Sequence, residues 1–315
     1  MRNIISRKAV AFLSAAVLAA LIMTCGLAVP AHAQGLGWEG ETGVFVTPLA
    51  YTQSTENGKV RATAAYHYLN VGSVIGDFHE ASVEVGVGKR FEFGYTRNFH
   101  SFGSDSPAEK GLSTLWQNGF DIMNAKFNVI PENSFGKKYV PAISVGGMFR
   151  SGDRNVGNYV ADVAKNGDAS RLSGRNNGDV YLVGSKMLPT GKTPLLISAG
   201  VRGTDAQLWG MGGNAPDWSA QAFGSVAVVC PLPHKNTIIF ASEAAHQPHH
   251  PYMFDGKRGE QLNIPTTMTY AARFIPNWKY KVNFDIGVAQ IAGKVAQDVD
   301  LKARHQVGVQ MSYAF

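Results

Sequence analysis

Residues 81–99, ASVEVGVGKRFEFGYTRNF, set the strongest constraint on what this chain can fold into. Ala81, Val83, Val85 and Val87 share one face, while Ser82, Glu84 and Gly86 share the other. After Gly88-Lys89-Arg90 the pattern resumes, with Phe91, Phe93, Tyr95 and Phe99 opposite Glu92, Gly94, Thr96 and Asn98. Side chains that swap faces at every residue belong to a strand, because a helix repeats at 3.6. A three-residue turn keeps the two faces in phase and predicts Val87 against Phe91, Val85 against Phe93 and Val83 against Tyr95. The same alternation runs through Tyr280, Val282, Phe284, Ile286 and Val288, with Lys281, Asn283, Asp285 and Gly287 between them. It also runs through the last residues, where Val307, Val309, Met311, Tyr313 and Phe315 alternate with Gly308, Gln310, Ser312 and Ala314.

These strands run to about ten residues, longer than is usual in soluble sheets and long enough to cross a bilayer at a tilt. Their second face carries glycine, small polar groups and charges. That composition suits a wet barrel interior better than the inside of a sandwich. Candidate strands fall at 60–70, 79–88, 91–100, 119–130, 139–150, 179–187, 195–203, 218–230, 237–246, 266–275, 280–290 and 301–315. Alternate connections are short at 88–90, 131–138, 188–194, 231–236 and 276–279. The other set is mostly long, including 101–118, 151–178, 204–217 and 247–265, with 291–300 a short exception. Such segregation is expected of an antiparallel transmembrane β-barrel of about 12 strands (14 as the alternative), with short periplasmic turns and long extracellular loops.

The N-terminus fits export. Arg2, Arg7 and Lys8 precede a long apolar run, and Ala31-His32-Ala33 follows Pro30. This reads as a signal peptide over residues 1–33, cleaved after Ala33. Its removal takes three positive charges from a formal +6, leaving +3 and giving no support for a nucleic-acid partner. Cys230 is then the one cysteine left, so stability cannot come from an intrachain disulfide.

The terminal strand, alternating and ending on Phe315, resembles the assembly signal of Gram-negative outer-membrane β-barrel proteins. The resemblance implies that Val307, Val309, Met311, Tyr313 and Phe315 are read by the barrel-assembly machinery. It also implies that the chain sits among outer-membrane lipid and lipopolysaccharide. Residues 60–315 would form the barrel, with 34–59 either a plug or an additional strand. Within that segment, Thr42-Gly43 through Thr47-Pro48 resembles the openings of some other outer-membrane proteins.

Function is less constrained. Glu84, Glu92, Lys126, Arg150, Arg202, Glu243, Arg273, Lys281, Asp285, Lys302 and Arg304 fall on the polar alternation and are expected to line the lumen. Seven are basic and four acidic, which predicts a passive, porin-like channel for small polar solutes with slight anion preference. Asp285 is expected to lie near Arg304. Two alternatives stand beside the channel: an outer-membrane hydrolase using loop residues such as His100, and a structural or surface-interaction barrel. His246, His249 and His250 in HQPHHP read as a solvated loop, since Pro248 and Pro251 hold it extended and no further ligand completes a metal set. The PTGKTP stretch at 189–194 lacks the first glycine of a phosphate loop and reads as a turn. No cofactor and no catalytic group is implied. The sequence leaves the oligomeric state open.

Overall fold

A computed structural model describes residues 35–53, 60–101, 103–104, 119–152, 176–191, 193–249, 251–254, 257–261, 263–296 and 299–315. The proposed signal peptide and His250 lie outside these residues. Twelve strands form the barrel: β1 (Arg61–Asn70), β2 (Asp77–Val87), β3 (Phe91–Ser101), β4 (Asp121–Ile130), β5 (Ala142–Ser151) and β6 (Asn176–Leu188), then β7 (Leu195–Leu208), β8 (Gly212–Pro231), β9 (Thr237–Ala245), β10 (Thr267–Ile275), β11 (Lys281–Gln290) and β12 (Gln306–Ala314). Each pairs antiparallel with its neighbours in sequence. The sheet closes where β12 meets β1, with Val309 opposite Tyr68 and Ala314 opposite Thr63. Closure removes the free edges that an open sheet would present to lipid.

Alternation decides which side chains go where. Val83, Phe93, Met123, Val180, Ile286 and Met311 point outward and remain exposed. The residues between them turn inward, and Glu84, Glu92, Arg150 and Arg202 are each 0% exposed. Aromatic residues collect at both ends of the outer wall. Trp278, Tyr280 and Phe315 stand exposed at the end carrying the short turns, and Phe99, Phe149 and Trp218 at the other. An apolar band between aromatic girdles is what a bilayer requires of a barrel.

Two connections differ from expectation. Residues 204–217 are mostly strand, because β7 continues to Leu208 and β8 restarts at Gly212, leaving a tight turn at 209–211. The last strand starts at Gln306 instead of 301. Val299–Ala303 pairs locally with Ala292–Ala296 as a separate hairpin, whose last pair is Ala292 with Ala303, and a positive φ at His305 separates it from β12.

Candidate functional site: the lumen and its N-terminal segment

Residues 35–53 lie inside the barrel and add no strand to it. The segment folds back on itself, with Gly35 opposite Gly43 and Leu36 opposite Thr42, and Gly40 at the bend adopts a φ of 89° that favours glycine. Trp38 marks the end towards the long connections, donating its indole N–H to the Gly210 carbonyl at 2.9 Å. Ala50 marks the other end, where its amide donates to Ser185 and its carbonyl accepts from Asn128 and Ser144. Trp38 belongs to an apolar cluster that includes Leu69, Phe78, Ile122, Met148 and Trp209, and its ring meets those of His67 and Phe78 edge-on. The lumen is therefore occupied along its length.

Polar contacts between segment and wall form three groups. In the first, Glu39 is paired to both Arg150 and Arg202, and Asp179 bridges the same two guanidiniums, 3.0 Å from Arg202. Arg202 also lies over the ring of Trp209, 4.2 Å from its centroid. In the second, Lys126 meets Glu92 at 2.7 Å and donates to the Thr42 carbonyl, while Glu92 accepts from Thr42 and from the Gln53 amide. In the third, Glu243 accepts the backbone N–H groups of Phe45, Val46 and Thr47 together with the Thr47 hydroxyl. Arg273, held by Asp285 at 2.7 Å, reaches the Val44 carbonyl at the same distance. Buried charges are tolerated here because each of these has an opposite charge or several donors. Thr42 and Thr47, the threonines of the two sequence pairs noted in the opening segment, are two of the anchors.

The residues expected to line the lumen divide into two groups. Glu84, Glu92, Lys126, Arg150, Arg202, Glu243, Arg273 and Asp285 are all buried inside. Lys281 is exposed at the short-turn end, and Lys302 and Arg304 are exposed in the hairpin outside the barrel strands. Arg304 pairs with Asp300 at 3.3 Å, not with Asp285. The physical reason is register: Asp285 stands directly opposite Arg273 on β10, while the chain has left the barrel before it reaches Arg304.

Sequence reasoning missed Glu39, Glu41, Glu80 and Asp179, all buried inside. Parity would have found two of them, since Glu80 lies four residues before Glu84 on β2 and Asp179 shares the inward face of β6 with Tyr181. With these included, the buried charged residues among the described ones are eight acids (Glu39, Glu41, Glu80, Glu84, Glu92, Asp179, Glu243, Asp285) and four bases (Lys126, Arg150, Arg202, Arg273). The excess of bases on which an anion preference rested is reversed.

The loop histidines are engaged locally. His246 bonds the Gln221 side chain, His249 the Ile264 carbonyl at 3.0 Å, and His100 the Ile75 carbonyl at 2.7 Å. Among the described residues, no three His, Cys, Asp or Glu come together as a direct metal site.

A closed meander of 12 strands, apolar outside and charged within, defines the class: this chain has the fold of a membrane-spanning antiparallel β-barrel. No protein-family model and no curated sequence matches it. Solved structures with a similar fold include the KdgM porin, at 9% identity and a TM-score of 0.44 over 80% of this chain and 99% of that one. Another is the NanC porin, at 8% and 0.41 over 82% and 99%. The COG4313 outer-membrane channel from Pseudomonas putida F1 matches at 7% and 0.40 over 91% and 100%.

Proposed function

We propose that this chain is a passive, porin-like channel for small polar solutes, closed in the observed conformation by its own N-terminal segment. One observation carries the reading. The segment blocks the lumen but takes no part in barrel closure, so it can leave while the wall stays intact. A barrel kept shut by a removable element is built to open. With the segment gone, the wall keeps six buried acids (Glu80, Glu84, Glu92, Asp179, Glu243 and Asp285) against four bases, which favours cations once water enters.

Planar-bilayer recordings of the refolded chain test this. Discrete openings are expected, with a reversal potential in a salt gradient that reports cation preference. Arg304→Glu should leave that potential unchanged, because the residue lies outside the lumen. Silent membranes from both the full chain and a variant lacking residues 35–53 would end the channel reading.

Signal-peptide export and recognition of the last strand by the assembly machinery belong to the same proposal. Met311 and Phe315 are exposed on the outer wall, and the Tyr313 and Phe315 rings meet edge-on at 4.8 Å. Replacing Tyr313 and Phe315 with serine should leave export intact and sharply lower the amount of heat-modifiable barrel in the outer membrane. Undiminished barrel there would remove the assembly role.

A further inference from the structure

The short turns of this barrel are basic. Lys89 and Arg90 lie between β2 and β3, Lys137 and Lys138 between β4 and β5, Lys235 between β8 and β9, and Lys279 between β10 and β11. All six are exposed, and none is in an ion pair among the described residues. Glu132 is the single acidic side chain among the described residues of these turns, and Lys186 holds it at 3.1 Å. The long connections differ in character: over 101–118, 151–178, 204–217, 247–265 and 291–300, acids outnumber bases. The positive charge therefore belongs to one end. Four basic turns spaced around a closed sheet make it a collar instead of a patch.

The collar is interleaved with the aromatic girdle. Arg90 precedes Phe91, Lys138 precedes Tyr139, and Lys279 stands between Trp278 and Tyr280. All four rings are exposed. An exposed ring flanking an apolar band lodges at the boundary between acyl chains and headgroups. A lysine or arginine beside it lays its aliphatic stem along that boundary and carries its charge to the depth of the phosphates. A partner recognised by charge alone, such as an acidic protein or a cell-wall polymer, would have no use for the rings.

From this pairing of base and ring we infer that the short-turn end binds phospholipids with anionic headgroups, of which phosphatidylglycerol is the simplest, as a ring of boundary lipid. In each contact a phosphate oxygen accepts from an ammonium or guanidinium group while the acyl chains pack on the neighbouring ring. A zwitterionic lipid brings the same phosphate together with a cation of its own, which the unpaired bases repel. The collar therefore selects by the net charge of the headgroup. The inference rests on the membrane-spanning fold, and on neither conduction nor the segment in the lumen.

The test is lipid selectivity of the full chain refolded into phosphatidylcholine vesicles. A trace of spin-labelled phosphatidylglycerol or spin-labelled phosphatidylcholine is added, and the motionally restricted fraction of each label gives a relative association constant. The parent chain should favour phosphatidylglycerol several-fold at low salt, and the ratio should fall as salt screens the contacts. Lys138→Gln/Lys235→Gln/Lys279→Gln should bring it most of the way down to one. Lys294→Gln/Lys302→Gln/Arg304→Gln removes the same charge from the hairpin at the other end and should leave it unchanged. Should the first variant fail to refold, the parent's preference and its salt dependence decide. Four results would overturn the assignment: no preference in the parent chain, a preference insensitive to salt, an undiminished preference in the short-turn variant, or an equal loss in both variants.

Discussion

Replacing Glu243 with leucine should turn a mostly closed barrel into one that opens often. The carboxylate accepts from Thr47 N at 2.7 Å, from Val46 N at 3.0 Å, from Phe45 N at 3.2 Å and from the Thr47 hydroxyl at 2.7 Å. A hydrogen bond to a charged group contributes about 1.5–3 kcal/mol, and several on one carboxylate do not add fully. A combined loss of about 3–4 kcal/mol is a reasonable scale, and each 1.4 kcal/mol is about tenfold in an equilibrium. Open probability in single-channel records should therefore rise by about 10²–10³. Leucine also leaves three amides unmet whenever the segment docks, which pushes in the same direction. The barrel itself should survive, because Glu243 contributes only backbone pairing to Ser225 and Thr269. A variant lacking residues 35–53 supplies the fully open reference. If that reference conducts while Glu243→Leu stays as quiet as the parent, the latch is elsewhere.

Glu39→Ala is expected to have the largest effect on stability. Glu39 lies between Arg150 and Arg202, and its removal leaves two guanidiniums sharing the single carboxylate of Asp179. These groups are all but inaccessible to solvent, and breaking a buried pair from one side costs about 3–5 kcal/mol. Arg97 and Asp121 give the comparison. They pair at 3.2 Å with about a third of each side chain exposed, and Arg97→Ala should cost about 0–1 kcal/mol. The two variants should separate clearly in urea midpoint or in the temperature at which the barrel loses its resistance to detergent. Equal, small losses would mean that water screens the Glu39 network and that the segment packs loosely.

Much of the wall was readable in advance because its information is local. Val87 does face Phe91, Val85 faces Phe93 and Val83 faces Tyr95, as the phase across Gly88-Lys89-Arg90 dictates. Strand number, strand faces and most boundaries follow from the same period of two, since burying the wrong face in lipid would expose charges to hydrocarbon. The error at 204–217 has a local cause too: turn-forming residues there hid two strands that lengthen past the rest of the sheet.

The occupants of the lumen are a different matter. Residues 35–53 carry no sustained alternation, and nothing in that stretch says that Glu39 will meet Arg150 and Arg202, more than a hundred residues away. Nor does it say that Glu243 will gather three amides from 45–47. Alternation puts a charge inside, but which charges face each other depends on how twelve strands close, on register, and on where the segment enters. Asp285 illustrates the limit: parity turned it inward correctly, and only the pairing of β10 with β11 gave it Arg273 in place of Arg304. The period-two pattern is set by neighbours in the chain and so was fixed by sequence; the partner across a lumen is set by closure of the whole barrel and was decided by tertiary structure alone.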